Sequence, residues 1–241
     1  MKKGELLYQG KAKSLYKTED ENLLICEFRD DTTAFDGEKC EKLRHKGKTN
    51  NAISSHIMKH LAMHGVKTHI HSYLSPSETV VQRLTMLPIE SVVRNIAAGS
   101  LTRRLGISEG LILDYPLCEF FLKNDALHDP MINNEHAILF GWATQEQLED
   151  VRDCSLKINS LLVDLFKKAE LTLVDSKYEF GLFNGEIILA DEISPDSCRI
   201  WDSKTNKKLD KDRFRQNLGD VVESYQLIAE RLGVEQPTSP N

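Results

Sequence analysis

The sequence predicts an α+β fold, and three observations carry that reading. The first quarter is a series of short apolar runs punctuated by turn residues. A single long amphipathic stretch follows near residues 144–169. Strand-like runs then return, with no strict β-α-β alternation along the chain.

Residues 5–9, 12–18 and 22–29 are rich in Leu, Ile, Tyr and Phe. Gly10 and the polar residues 19–22 separate them, which predicts three strands joined by turns. Residues 50–64 place Ile53, Ile57, Met58 and Leu61 at helical spacing and stop at Gly65. Strands are expected again at 68–74, 78–84 and 89–97. A short helix is expected from Ser100, whose hydroxyl suits an N-cap. Thr144 and Gln147 form a capping box ahead of the stripe Leu148, Val151, Ile158, Leu161, Leu162, Leu165 and Phe166. The longest helix is therefore expected at 144–169. Two strands, 171–180 and 186–191, meet through Phe183-Asn184-Gly185, and a last helix over 220–231 closes at Gly233. Residues 237–241 are expected to fray. A boundary near 84–88, ahead of Pro88, divides the chain into 1–86 and 87–241.

The 241 residues carry 40% hydrophobic and 28% charged side chains, the balance of an ordinary globular protein. No run approaches the ~18 apolar residues of a membrane span. Residues 1–5 lead straight into a strand-like run without an apolar signal core. The net charge of −6 argues against a general nucleic-acid binder, which needs a basic face. That charge is uneven: residues 1–120 hold 17 Lys and Arg against 15 Asp and Glu, and residues 121–241 hold 14 against 22. The five cysteines are odd in number, widely spaced and free of any C-x-x-C pair. They are expected to be structural thiols in a reduced, cytoplasmic setting.

The chemistry concentrates in a few segments. In Leu173-Val-Asp-Ser-Lys-Tyr-Glu-Phe-Gly181, strand periodicity sends Asp175, Lys177 and Glu179 to one face and Val174, Ser176, Tyr178 and Phe180 to the other. An arbitrary D-x-K-x-E is a solvated face. Here the partner run Ile187-Ile-Leu-Ala-Asp191-Glu192 is almost wholly apolar, so the hairpin is expected to be buried with acids at one end. A two-residue loop, Asn184-Gly185, would pair Glu179 with Ala190 and put Glu192 on the charged face. A three-residue loop with Gly185 left-handed would pair Lys177 with Asp191 and set Glu179 diagonal to it. We take the second as the expectation, because two carboxylates near a lysine suit Mg²⁺ and phosphate.

Gly10-Lys11-Ala12-Lys13 could lie over nucleotide phosphates, or be a hairpin with surface lysines. Met86-Leu-Pro-Ile-Glu90-Ser-Val-Val-Arg94-Asn-Ile-Ala-Ala-Gly99-Ser100 interrupts a buried-type strand with Glu90 and Arg94, then reaches a Gly-Ser step at a helix start. Arginine, hydroxyl and helix N–H groups together suit a phosphate monoester, or are a capping serine beside an ion-paired arginine. Asp36-Gly37 ends a polar loop, Lys123 and Asp129 flank another, and Asp196 and Arg199 follow the Asp191 strand. His56, His60 and His64 form an i, i+4, i+8 ladder with no acid or thiol built in, which reads as an exposed helix face.

From Gly10-Lys-Ala-Lys13 through Asp212-Arg-Phe-Arg215 these segments resemble the SAICAR synthetase family, the phosphoribosylaminoimidazole-succinocarboxamide synthases. The most specific stretches are MLPIESVVRNIAAGS and LVDSKYEFG, followed by ADE at 190–192 and SPDSCR. The resemblance implies a two-lobed α+β fold with an antiparallel N-terminal sheet and an ATP-grasp or kinase-like nucleotide cleft. It divides the chain into a nucleotide-binding lobe, 1–86, and a substrate and metal lobe, 87–241. It implies a single-function, cytoplasmic ligase that joins L-aspartate to carboxyaminoimidazole ribonucleotide (CAIR) with ATP and Mg²⁺, and a homodimer. Carried over, Lys11, Lys13, Lys123 and Lys177 meet the ATP phosphates, and the adenine lies along residues 82–86 near Arg83 and Met86. Glu179 and Asp191 hold Mg²⁺. Arg94, Ser100 and Arg199 clamp the CAIR phosphate, with Glu90 and Asp196 on its ribose or aminoimidazole. Asp36, Asp129, Lys211 and Arg215 are candidates for the aspartate site. Lys177, Lys123 and Asp36 are the candidate catalytic groups. The rival readings are a small-molecule kinase and a non-catalytic nucleotide sensor.

Overall fold

A computed structural model describes residues 1–34 and 38–234. Asp36 and the expected frayed tail lie outside the described residues. The chain runs β1 (Leu6–Gln9), β2 (Lys13–Lys17), β3 (Leu23–Phe28), β4 (Asp31–Ala34), β5 (Lys39–Lys42), α1 (Lys46–Met63), β6 (Ile70–Ser75) and β7 (Glu78–Gln82). It continues as β8 (Thr85–Ile96), α2 (Ser100–Leu105), β9 (Ile112–Leu122), β10 (Met131–Ile132), α3 (Asn134–Leu139) and α4 (Gln145–Lys168). The last elements are β11 (Leu171–Phe183), β12 (Glu186–Ala190), β13 (Cys198–Asp202), α5 (Asp212–Arg215) and α6 (Val221–Arg231).

Two antiparallel sheets organise these elements. The first has the order β1-β2-β3-β7-β6, and the second has β10-β9-β8-β11-β12 with β13 also on β11. β4 and β5 form a separate hairpin. The α+β class expected from the sequence is the class observed. Thr144 caps α4 through the expected box: its hydroxyl accepts from Gln147 N, and Gln147 accepts from Thr144 N. The apolar stripe of α4 then packs Leu148, Val151, Ile158, Leu162 and Phe166 against Phe120, Leu122, Tyr178 and Phe180 on one face of the second sheet. Ile53, Ile57, Met58 and Leu61 of α1 join that same core.

β11 is the spine of the second sheet. Along one edge it pairs β8 over most of its length, placing Arg94 beside Asp175, Val92 beside Lys177 and Glu90 beside Glu179. Its other edge is shared, with β13 on its first half and β12 on its second. Residues 191–197 connect those two strands beside Lys177, whose N–H donates to Ser197 O. This places the acidic end of β12 over the charged face of β11.

Four expectations need correction. The hairpin loop has two residues, because Phe183 pairs with Glu186 and Glu179 pairs with Ala190. Asn184 and Gly185 both take left-handed backbone, φ 51° and 83°, which closes a tight primed turn without a third residue. Val174 does not share the α4 face: a bulge between Leu173 and Asp175 sends Leu173 into the main core and Val174 against Ala98 and Trp201. Ser100 is the first helical residue rather than the N-cap, which is Gly99, and its hydroxyl accepts from Arg94 instead. Finally, α1 begins four residues earlier than expected. Lys46, Thr49, Asn50 and Asn51 are polar yet buried, a burial that hydropathy conceals.

Candidate active site

Strand alternation puts Glu90 and Arg94 of β8, Asp175, Lys177 and Glu179 of β11, and Arg199 of β13 on the sheet face away from α4. Two charged clusters form there.

In the first, Glu179 pairs with both Lys177 and Lys123, and Lys177 also reaches Glu90 Oε2 at 3.3 Å. Lys13, at the start of β2, pairs with Asp191 and with Glu192 Oε1 at 2.9 Å, and so bridges the two sheets. A two-residue loop alone would turn Asp191 away from Glu179. Asp191 instead adopts left-handed backbone at φ 59°, just past the end of β12, and its carboxylate feels Lys13, Lys177 and Lys123. The expected convergence of Glu179 and Asp191 therefore occurs by a different route, and Glu192 joins it.

Burial opposes the charges on Lys13, Lys177, Glu179 and Asp191, but pairing prevails. Lys13 and Lys177 are held above the usual lysine range by the surrounding acids, despite desolvation. Asp191 and Glu179 are held below the carboxylate range by their lysines, also against desolvation. Glu90 goes the other way: burial raises it, and Glu179 adds to the rise against Lys177. Lys13 and Lys177 thus stand as ammonium groups beside the carboxylates of Glu179 and Asp191 at neutral pH.

The second cluster lines a cavity of about 280 Å³, walled by Glu90, Arg94, Ser100, Asp129, Lys177, Asp196, Arg199 and Arg215. Arg94 is nearly fully buried and donates from Nε to Glu119 Oε2 (2.7 Å), from Nη1 to Asp175 Oδ2 (2.9 Å) and from Nη2 to Ser100 Oγ (3.0 Å). Arg199 donates to the same Asp175 oxygen at 2.8 Å and to Asp212 Oδ2 at 2.8 Å. Asp212 also accepts from Arg215 at 2.5 Å. Two arginines are thus held side by side on one carboxylate, a rigid anion seat.

Gly99 closes that seat. Its backbone, φ 60° and ψ −125°, suits glycine, and a Cβ there would lie 2.5 Å from Arg199 Cζ. Gly99→Ala is expected to weaken binding of a phosphate-bearing ligand about tenfold, read by titration calorimetry. Backbone strain of about 1–3 kcal/mol should lower the thermal midpoint as well.

The remaining expected residues fall around these clusters. Lys211 lies beside Asp196; burial, Arg215 and Lys46 push its ammonium below the lysine range, against Asp196. Asp129 accepts from Asn124 N at 2.8 Å, so one oxygen serves its own loop. Lys11 pairs with Asp125 at an exposed rim. Arg83 and Met86 are exposed in the passage from β7 to β8, with Arg83 N donating to Asn22 O. His64 Nδ1 hydrogen-bonds His60 O within its own helix, and the ladder is half-buried to exposed. Among the described residues no three His, Cys, Asp or Glu are arranged to hold a metal. Cys26, Cys118, Cys154 and Cys198 are free thiols.

Sequence reasoning missed Glu192, Lys46, Tyr225, Asp212 and Glu119 as parts of the site, and named Asp175 only as a strand charge. Glu192 had a signal in the shorter loop; Lys46, in a basic run, had none.

A family description, SAICAR synthetase, matches residues 6–232. The phosphoribosylaminoimidazole-succinocarboxamide synthase of Coxiella burnetii is 62% identical, over 97% of each chain. The chain superposes on the crystal structure of the same enzyme from Ehrlichia chaffeensis with a TM-score of 0.93 and 46% identity, covering 98% of this chain and 100% of that one. It superposes on a SAICAR synthetase in complex with ADP with a TM-score of 0.94, 46% identity and the same coverage.

Proposed function

The chain belongs to the SAICAR synthetase family, and from that premise we propose how its two clusters divide the work. It is an ATP-dependent carbon–nitrogen ligase of purine biosynthesis, joining L-aspartate to the carboxylate of CAIR to give the succinocarboxamide ribonucleotide, ADP and phosphate. One observation carries the assignment of residues: three lysines converge on Glu179 and Asp191 directly beside a cavity that seats two arginines on Asp175.

The lysine cluster is the phosphate end of the ATP site. Lys13, Lys123 and Lys177 hold phosphate oxygens, Lys11 guards the rim, and the adenine lies along residues 82–86 near Arg83 and Met86. Two carboxylates that already share lysines fit Mg²⁺, which takes one or two protein carboxylates plus phosphate oxygens and water. Glu179 and Asp191 would hold it, and the ion would neutralise charge between the transferring phosphates. Residues 1–86 serve as the nucleotide lobe and 87–241 as the lobe of the substrate and metal sites; Lys123 and Lys177 reach the ATP phosphates from the second lobe, and α1 of the first packs into the core of the second sheet.

The arginine cavity takes CAIR. Arg94, Arg199 and Ser100 grip its phosphate, and Glu90 and Asp196 meet its ribose and aminoimidazole. Its carboxylate then faces Lys177, where the two clusters meet. A carboxylate oxygen attacks the γ-phosphorus, the bond to ADP breaks, and an acyl phosphate forms. The aspartate amine attacks the acyl carbon, loses a proton, and expels phosphate with the original carboxylate oxygen. No protein nucleophile is needed; the lysines and arginines screen the gathered negative charge. Asp129, Lys211 and Arg215 border the cavity where L-aspartate would enter, and Asp36 is a further candidate for it.

We assign the enzyme to the cytoplasm as a homodimer. The free thiols of Cys26, Cys118, Cys154 and Cys198 support the reduced setting, and no helix among the described residues is long and apolar enough to cross a membrane. The exposed apolar residues Ile112, Tyr115 and Leu139 offer surface for a second copy. Sedimentation of the purified chain tests the dimer.

ADP release, measured with CAIR and L-aspartate supplied singly and together, tests the reaction. Full-rate release requires both. Full-rate release with CAIR alone indicates a small-molecule kinase, and none in any mixture a nucleotide sensor.

A further inference from the structure

Lys46 sits in a basic run, Arg44-His-Lys-Gly-Lys48, that reads as solvated surface, yet its side chain is 0% exposed. Burying an ammonium group costs several kcal/mol unless it is paired. Its Nζ lies 2.7 Å from Asp196 Oδ2 and donates to Asp31 O at 2.8 Å. The other Asp196 oxygen accepts from the hydroxyl of the fully buried Tyr225 at 2.7 Å. Asp196 itself lines the arginine cavity.

The backbone that carries Lys46 is fixed on both sides. His45 N and Gly47 N donate to the two oxygens of Asp30, and a Cβ on Gly47 would run into the Arg29 carbonyl. The ammonium is therefore delivered to Asp196 by a helix start anchored on the Asp30 carboxylate. Asp196 is held from a further element by the Tyr225 hydroxyl of α6, and it feels the charge of Lys211 at the head of α5. Arg215, Asp210 and Glu192 complete the charged groups around these partners.

We propose that Lys46, supported by Tyr225, is a positioning residue that acts through Asp196 on the bound ribonucleotide. It fixes the carboxylate plane so that the remaining lone pairs can accept only from a donor on the substrate. This rests on the assignment of the arginine cavity to CAIR. The substrate is anionic at its phosphate and at its carboxylate, so a fixed carboxylate in the cavity is tolerated only opposite an N–H or O–H group. Burial alone would raise the Asp196 carboxyl; Lys46 and Lys211 outweigh burial and hold it below the carboxylate range.

The test compares Lys46→Met and Tyr225→Phe in the full chain, at saturating ATP and L-aspartate. Lys46→Met is expected to raise KM for CAIR about tenfold or more, with KM for ATP within about threefold of the parent. Without the cation, Asp196 takes up a proton at higher pH, so the ratio of the variant's KM for CAIR to the parent's should grow as pH falls from 8 to 6. Tyr225→Phe should shift KM for CAIR in the same direction by about threefold. A folded Lys46→Met with unchanged KM for CAIR and a flat pH profile overturns the proposal, as does a loss spread equally over all three substrates. If Lys46→Met does not fold, Tyr225→Phe decides, and an unchanged KM for CAIR at every pH overturns it. Absence of ADP release by the parent chain with both substrates instead overturns the functional assignment beneath it.

Discussion

Lys177→Ala lowers kcat about 10²–10³-fold while changing folding stability by no more than about 2 kcal/mol. The asymmetry follows from what surrounds the ammonium. In the folded chain Lys177 balances Glu179 and Glu90, and Lys123 remains on Glu179 when it is gone. Its loss leaves two acids less well screened, a modest cost at a partly exposed site. In the proposed phosphoryl transfer it would face both the γ-phosphate and the CAIR carboxylate, a bridging position that neither Lys13 nor Lys123 is assigned. Steady-state kinetics and a thermal melt on the same preparation check both halves. Equal loss of activity and stability would make Lys177 a structural ion-pair partner.

Asp175→Ala has the opposite signature, with a stability loss of about 3–5 kcal/mol. A single buried oxygen of Asp175 accepts from both Arg94 and Arg199. Removing it leaves two guanidinium groups adjacent and unbalanced, with Glu119 and Asp212 as the nearest counter-charges. The urea midpoint should fall sharply. Asp175→Asn, which keeps shape and one acceptor but no charge, should lose less stability and still raise KM for CAIR, because the arginines are no longer drawn together. An unfolding free energy within about 0.5 kcal/mol of the parent in the alanine variant would contradict the shared-anchor reading.

These two residues also show what was legible in the sequence. The alternation that brings Asp175, Lys177 and Glu179 to one face is a local property of a strand, and it is present in the structure. So are the α4 capping box and its apolar stripe, for the same reason. The observed hairpin register is legible in Asn184-Gly185, the usual pair for a primed two-residue turn, and the expectation departs from it only by favouring the metal chemistry of the longer loop. The return of Asp191 towards Glu179 depends on its own φ of 59°, which hydropathy does not carry. The Val174 face was misread because a bulge against β13 changes the strand's phase. Lys46, Tyr225, Asp212 and Glu119 join the site only through contacts between distant segments. Their types and neighbours are those of surface or core residues, and only the folded topology reveals them as partners.

The central claim is that ATP activates the CAIR carboxylate as an acyl phosphate before L-aspartate attacks. The most direct test uses CAIR labelled with ¹⁸O in both carboxylate oxygens, with ATP and L-aspartate. Mass spectrometry of the released phosphate should show one ¹⁸O atom per molecule, and the new amide should retain the other. Unlabelled phosphate, formed in step with the succinocarboxamide product, would contradict the account.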